Sequence, residues 1–512
     1  MSFRKAMRLR QEGRTDEAWQ LAVSLPEEGD ALIWKKRAMG WVLHDYLKAA
    51  ATAGRPGVFI ERMKQWLALE LPADEKMMGN AVAWQVFRML HSLKKQGCPD
   101  LAIISNLSIA VRHIPLARPS EVYSALLKAL AGFAPEWTGF VAFLRWWDIR
   151  FFRPEDFGPE VINGRSLPSL VERVAGAMTK TVLAGVQQPP EGAEVLRAGN
   201  TLVVKADLDF AMEWLETLCR DYPRMTWLPY HYARLLMISG GKDPLKVFLP
   251  FARKKQTEFW VWSLMAGMFP VHSSEQTACY CRAVTCKTLP EYLVKVKQTL
   301  ASLLIRKEQY AAAKKLIMEV VDTRKKNGWK ISGELEEWLQ TPWYRETTVS
   351  GDTEKMLRKL AAGAESLLYL DLPVCTGVIN HVDYEKKTAW FIAEGKKSGS
   401  FKYERFGWIP KPGCVAELKL EERTGRNGKY LHVCHAVRSA APPPEELFRK
   451  FSGKVRKRDD RPFAMAGEVF IPPLLVSQVQ PADGAAVSGT AVLSYNRKKE
   501  RWGWSAVSLQ VE

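Results

Sequence analysis

The chain has 512 residues, a formal charge of +18 and an isoelectric point near 9.4, so it is long enough for two to four domains and favours a polyanionic partner. Apolar residues make up 47% and charged residues 25%, the balance of an ordinary globular protein. Eight cysteines over this length exclude a disulfide scaffold, and the lack of an eighteen-residue apolar run excludes a spanning helix.

The first nineteen residues, "MSFRKAMRLRQEGRTDEAW", are basic but have no apolar core. They predict no secretory signal, and a cytoplasmic protein with reduced thiols is expected. From residue 1 to about 345, apolar side chains recur at helical spacing and β-branched clusters are sparse. Fifteen of the nineteen tryptophans precede residue 345, which suits large aromatics filling helix–helix contacts. Two stretches look like one local unit: "AMRLRQEGRTDEAWQLAVSLP" (6–26) and "TLASLLIRKEQYAAAKKLIMEVV" (299–321). Each pairs two helices across a short polar turn, with Gly13 and Ala18 or Tyr310 and Ala313 at the junction. Both resemble the tetratricopeptide-type helical hairpin without its full consensus, which implies a degenerate α-solenoid, with a non-repeating helical domain as the alternative. The Pro/Gly clusters "FFRPEDFGPEVINGRSLP" (151–168) and "VQQPPEGAEVLRAGN" (186–200) interrupt it.

After Leu370 the pattern changes to short β-type runs. "VCTGVINHVDYEKKTAWFIAE", "SFKYERFGWIP" and "CVAELKLEERTGRNGKYLHVCHAV" supply about five strands, with "GRNGK" as a hairpin turn. The proline-rich "SAAPPPEEL" reads as a stiff linker. A second set runs from "FSGKVRKRDDRPFAMAGEVFIPP" to "GAAVSGTAVLSYNRKKERWGWSAVSLQV". The expected fold is multidomain, α followed by β. Helical-repeat blocks span 1–186 and 200–345, a linker helix 352–370, and two five-stranded barrels 371–440 and 447–512.

The barrels resemble cold-shock-type OB folds. Gly377 and Val378 fit that family's opening strand, and Trp390 and Phe391 its second-strand aromatics. Phe406 and Trp408 fall near its third-strand motif, and Phe463 and Phe470 occupy the matching places in the second barrel. The family's Gly-Phe-Gly-Phe core is missing from both, and Pro410 and Pro472 replace its third-strand histidine. Through "YHYARLLMISGG", "EFWVWSLMAGMF", "ACYCRAVTC" and "RKKNGWKISGELEEWLQTPWY" the whole chain resembles bacterial proteins that join a divergent tetratricopeptide-like region to such barrels, in conflict (phage-defence) gene clusters, beside catalytic partners. This resemblance implies nucleic-acid binding by stacking.

Residue chemistry points the same way. Bases stack on exposed aromatics while Lys and Arg neutralise phosphates. Candidate stacking residues are Trp390, Phe406, Trp408, Phe463, Phe470, Trp502 and Trp504. Candidate phosphate contacts are Lys454, Arg456 and Lys457, and Arg497, Lys498, Lys499 and Arg501 in the presumed hairpin turn. Trp502 and Trp504 either face out to stack on bases or face in to complete the barrel core; strict alternation, which puts them opposite Val507 and Leu509, favours outward. Cys279, Cys281 and Cys286 in "CYCRAVTC" lack zinc spacing and read as packing. The basic segments 251–255 and 324–330 fit either an acidic ligand or solvated helix ends. No nucleophile, metal-ligand or phosphate-loop motif appears, so neither catalytic residue nor cofactor is expected. The composite expectation is a non-catalytic adaptor, with single-stranded nucleic acid (RNA rather than DNA) on the barrels, a protein partner on the helical surface, and no membrane. A pure protein scaffold, and a nuclease or toxin with an unrecognised site, are the alternatives.

Overall fold

A computed structural model describes residues 3–97, 100–331, 333–349, 351–425, 428–458, 461–496 and 500–512. It divides into two compact units, 1–254 and 255–512.

The first unit is mostly helical. The helix Lys76–Lys95 shows why: Val82, Val86, Met89, Leu90 and Leu93 recur at three- and four-residue spacing and are all buried. Tryptophans fill the helix contacts; Trp147 is fully buried and its ring lies 4.7 Å from that of Tyr123, stacked. Both Pro/Gly breaks fold into two-stranded hairpins, β1 (Glu160–Ile162) with β2 (Arg165–Leu167), and β3 (Val195–Ala198) with β4 (Thr201–Val204). The first turns on Asn163-Gly164, both with positive φ, the residue pair that a two-residue hairpin demands. That signal stood in the sequence within "VINGRSL".

In the second unit, helices from Phe259–Ala266 to Asp352–Ala364 precede the strands. Cys281 packs here with Leu300, Leu304, Ala313 and Ile317. Cys279 and Cys281 are fully buried, and burial raises both thiols above their ordinary range. The two helical hairpins singled out in the sequence close in the same way. Arg14 N–H donates to the Leu9 carbonyl at 3.0 Å, and Gln309 N–H to that of Leu304 at 2.9 Å. The preceding residue, Gly13 or Glu308, is left-handed in each case, and Ala18 and Ala313 are fully buried on the return helices.

The strands form two five-stranded units. In the first, β5 (Val374–Asp383), β6 (Thr388–Ala393), β7 (Lys397–Lys402), β8 (Val415–Gly425) and β9 (Gly428–Arg438) take the order β7-β6-β5-β8-β9. In the second, β10 (Phe448–Lys457), β11 (Ala464–Ala466), β12 (Val469–Ile471), β13 (Ala486–Asn496) and β14 (Arg501–Val511) close as β10-β11-β12-β14-β13. Among the described residues only β12 and β14 pair in parallel. Strand one pairs with two and four, and in the second unit three meets five, which is the Greek-key arrangement of the OB fold.

Three expectations need correction. The third strand of the first barrel is "KSGSFK" (β7), and "RFGWIP" follows it as a 3₁₀ turn (Tyr403–Phe406) and loop. Phe406 and Trp408 therefore share no strand face; both pack on the barrel core, and Trp408 Nε1–H donates to the Ala436 carbonyl at 3.0 Å. Secondly, the alternation along β14 breaks. Ala491 pairs with Ala506 and Thr490 with Ser508, so one residue is inserted between them. This bulge puts Ala506 and Leu509 together in the core, and Trp504 packs against that core from the same side. A one-residue slip reverses every later side chain, so Trp502 and Trp504 do not lie opposite Leu509. Thirdly, the proline segment is more than a stiff linker, because it is bonded to its surroundings and partly buried. Ser439 N–H bonds the Val415 carbonyl, Leu447 N–H bonds that of Pro444, and Leu447 is buried.

Candidate nucleic-acid interface

On the first barrel, Ala389, Phe391 and Ala393 of β6 point into the core, so Trp390 and Ile392 point out. Trp390 pairs with His381 on β5 and Ser400 on β7. Its ring centroid lies 5.0 Å from that of His381. His381 is exposed and Trp390 half-buried, so this row is reachable. Lysines 386, 387 and 402 are exposed at the end of the same sheet. Across the barrel, burial holds His432 and His435 below the usual imidazole range, so they add no charge at neutral pH.

On the second barrel an outward row crosses four strands. Arg456 pairs with Met465, Met465 with Phe470, and Phe470 with Ser505. Phe463 stands 5.3 Å from the Phe470 ring, and the Arg461 guanidinium 5.6 Å over Phe463. Lys454 is exposed two residues before Arg456, on the same side. Lys457 differs: it is half-buried at the strand end, and its backbone N–H bonds Asp483 Oδ1 at 2.8 Å. Aromatic and apolar faces beside exposed cations can stack bases and neutralise phosphates together.

The β13–β14 hairpin joins the fourth and fifth strands, where the OB fold carries one of its ligand-binding loops. Arg497, Lys498 and Lys499 lie outside the described residues. Arg501 is exposed at the base of that turn. Tyr495 pairs with Trp502, their ring centroids 5.1 Å apart. Trp502 and Trp504 are half-buried, in a cluster with Val378 and Ile392 of the first barrel and Leu447, Val492 and Leu493. They help to join the barrels. The Arg449 guanidinium covers Trp504 at 4.3 Å, which leaves that ring little free face.

Of the sequence candidates, the structure brings Arg456, Phe463 and Phe470 into one row, sets Trp390 on another and puts Phe406 and Trp408 against a core. His381, Met465 and Tyr495 join the faces without having been singled out as contacts. His381 was hidden by a bulge in β5 next to Asn380, which shifts its register against β6. Tyr495 was visible in the hairpin, but its exposed ring could not be told from a core one.

Comparison with protein families matches residues 369–433 to S1/CSD-like domain 1 of the TOTE conflict systems and residues 449–509 to S1/CSD-like domain 2 of the same systems. The chain carries the tandem S1/CSD-like pair of the TOTE conflict systems. Residues 226–364 match a domain of unknown function (DUF7017). No curated protein matches the chain. Both members of the S1/CSD-like pair keep the OB strand order with an outward aromatic row on the second or third strand. Among the described residues no helix is long and apolar enough to cross a membrane.

Proposed function

We propose that this chain is a non-catalytic adaptor of a conflict system. Its S1/CSD-like pair binds single-stranded nucleic acid, RNA in preference to DNA, and its helical region, read as tetratricopeptide-like repeats, holds a protein partner. The observation that carries the reading is the row Arg456–Met465–Phe470, with Phe463 packed on Phe470. It lies on the OB face that receives single strands, in a chain of net charge +18. The helical half supports the partner role less directly, through paired helices with matched turns and the extended surfaces that such stacks present.

Fluorescence anisotropy of a labelled single-stranded RNA with the full chain tests the reading. Binding is expected to weaken steeply with salt, as phosphate contacts release counterions, and an equal-length DNA should bind more weakly. Phe470→Ala should reduce affinity roughly tenfold, the cost of one lost stack. Binding of neither strand by a folded chain refutes it, and leaves the barrels as protein-docking modules.

A further inference from the structure

The resemblance to two tandem OB domains implies two binding faces on a spacer. The structure arranges them otherwise. Val378 and Ile392 are a register pair on β5 and β6 that points away from the first barrel's own core. On an isolated barrel such residues would be in water. Here they are 0% and 1% exposed, because the second barrel covers them with Leu447, Val492, Leu493 and the indole of Trp502. At the same seam, the left-handed Gly413 of the first barrel approaches Val507 so closely that a Cβ would stand 3.0 Å from Cγ2. With the linker docked and the seam lined by buried apolar side chains, the barrels hold one orientation.

That orientation brings half-sites from the two barrels together. Trp390 is the next outward side chain along β6 from Ile392, two residues and about 7 Å away. Trp502, in the cluster with Ile392, leads to Tyr495, which is 43% exposed. Lys396 belongs to the first barrel, yet its Nζ lies 6.0 Å from the Trp502 ring of the second. Lys396 and Arg501 are both exposed. Aromatic faces and cations thus alternate from one barrel to the other, with Glu394 and Glu500 the exposed acidic neighbours of Lys396 and Arg501.

We infer that the two barrels form one composite site: a single strand crosses the seam, stacking on Trp390 of the first barrel and Tyr495 of the second, with Lys396 and Arg501 against its phosphates. The inference rests on the nucleic-acid reading above and deepens it. His381 backs the Trp390 ring, and Trp502 backs that of Tyr495. The seam takes the place of a flexible tether: the second barrel's contacts are preorganised and need no ordering of a linker on binding.

The test uses the full chain and oligouridylates of six and twelve nucleotides, with stoichiometry from calorimetry and affinity from anisotropy. A composite site takes one six-nucleotide strand per chain. Trp390→Ala and Tyr495→Ala then each weaken that same event roughly tenfold, and Lys396→Glu weakens it and flattens its salt dependence. Tyr495 and Lys396 are exposed, so those variants keep the fold if Trp390→Ala does not. Weakening by only one of Trp390→Ala and Tyr495→Ala overturns the composite site while leaving nucleic-acid binding intact, since a second strand per chain also fits the separate Phe470 row. Binding of neither oligonucleotide overturns the nucleic-acid reading and this inference with it.

Discussion

Ile392→Ala separates a docked pair of barrels from two beads on a string. On an isolated barrel Ile392 is an outward strand residue, and truncating it would change stability by no more than about 0.5 kcal/mol. In this structure it is 1% exposed and surrounded by side chains of the other barrel. Truncation of a buried isoleucine costs about 2–5 kcal/mol, combining lost transfer energy with the cavity left behind. The lower end applies where the seam relaxes by small shifts of one barrel on the other. Hydrogen exchange of the full chain, read by mass spectrometry, reports the cost locally. A loss of about 2 kcal/mol speeds exchange from the opened state roughly thirtyfold. The increase should appear both in β5–β6 and in β13, since Val492 and Leu493 lose the same contact. An increase confined to the first barrel, or none, refutes the seam.

Changing Arg497, Lys498, Lys499 and Arg501 together to Ala should lower the slope of log affinity against log salt by up to about 0.7 per phosphate contact removed, measured by anisotropy with single-stranded RNA; an unchanged slope shows that the hairpin does not meet phosphate. Gly489→Ala should destabilise the second barrel by about 2 kcal/mol or more, because a Cβ there would stand 2.2 Å from the Ser508 carbonyl oxygen and 3.1 Å from Phe451; thermal unfolding followed at β13–β14 reads it. In the first unit, burial pushes His231 down to about 3, with Arg234 and Lys180 adding to the shift. The unfolded imidazole protonates near 6.5, so stability is fully present above that pH and falls with pH from about 6.5 towards 3, by at most about 1.4 kcal/mol per pH unit. His231→Gln should flatten the melting temperature over that range, and parallel curves for the two proteins would remove His231 as the cause. Iodoacetamide should leave Cys279 and Cys281 unmodified in the folded chain, since both are fully buried with raised thiols.

Much of this architecture was legible in the sequence. Helical spacing marked the first two-thirds, because an amphipathic helix writes its buried face at intervals of three and four; the stretch Val82–Leu93 is an instance. The change to short alternating runs after Leu370 marked two sets of five strands, and their resemblance to cold-shock-type domains pointed to OB barrels. Local chemistry also held the β1–β2 hairpin, in Asn163-Gly164.

What the residues did not contain was decided by contacts between distant segments. Whether an outward strand residue meets water or another barrel depends on docking, so Ile392 and Trp502 read like surface until the seam is known. A bulge adds one residue with no compositional mark, and the one between Thr490 and Ala491 on β13 and Ala506 and Ser508 on β14 reversed the faces inferred for the C-terminal tryptophans. Pattern along the chain therefore determined most of the elements and the kind of barrel they form. The packing of one barrel on the other decided which aromatics are free to stack, because burial is a property of the neighbours a side chain acquires and not of its position in a strand.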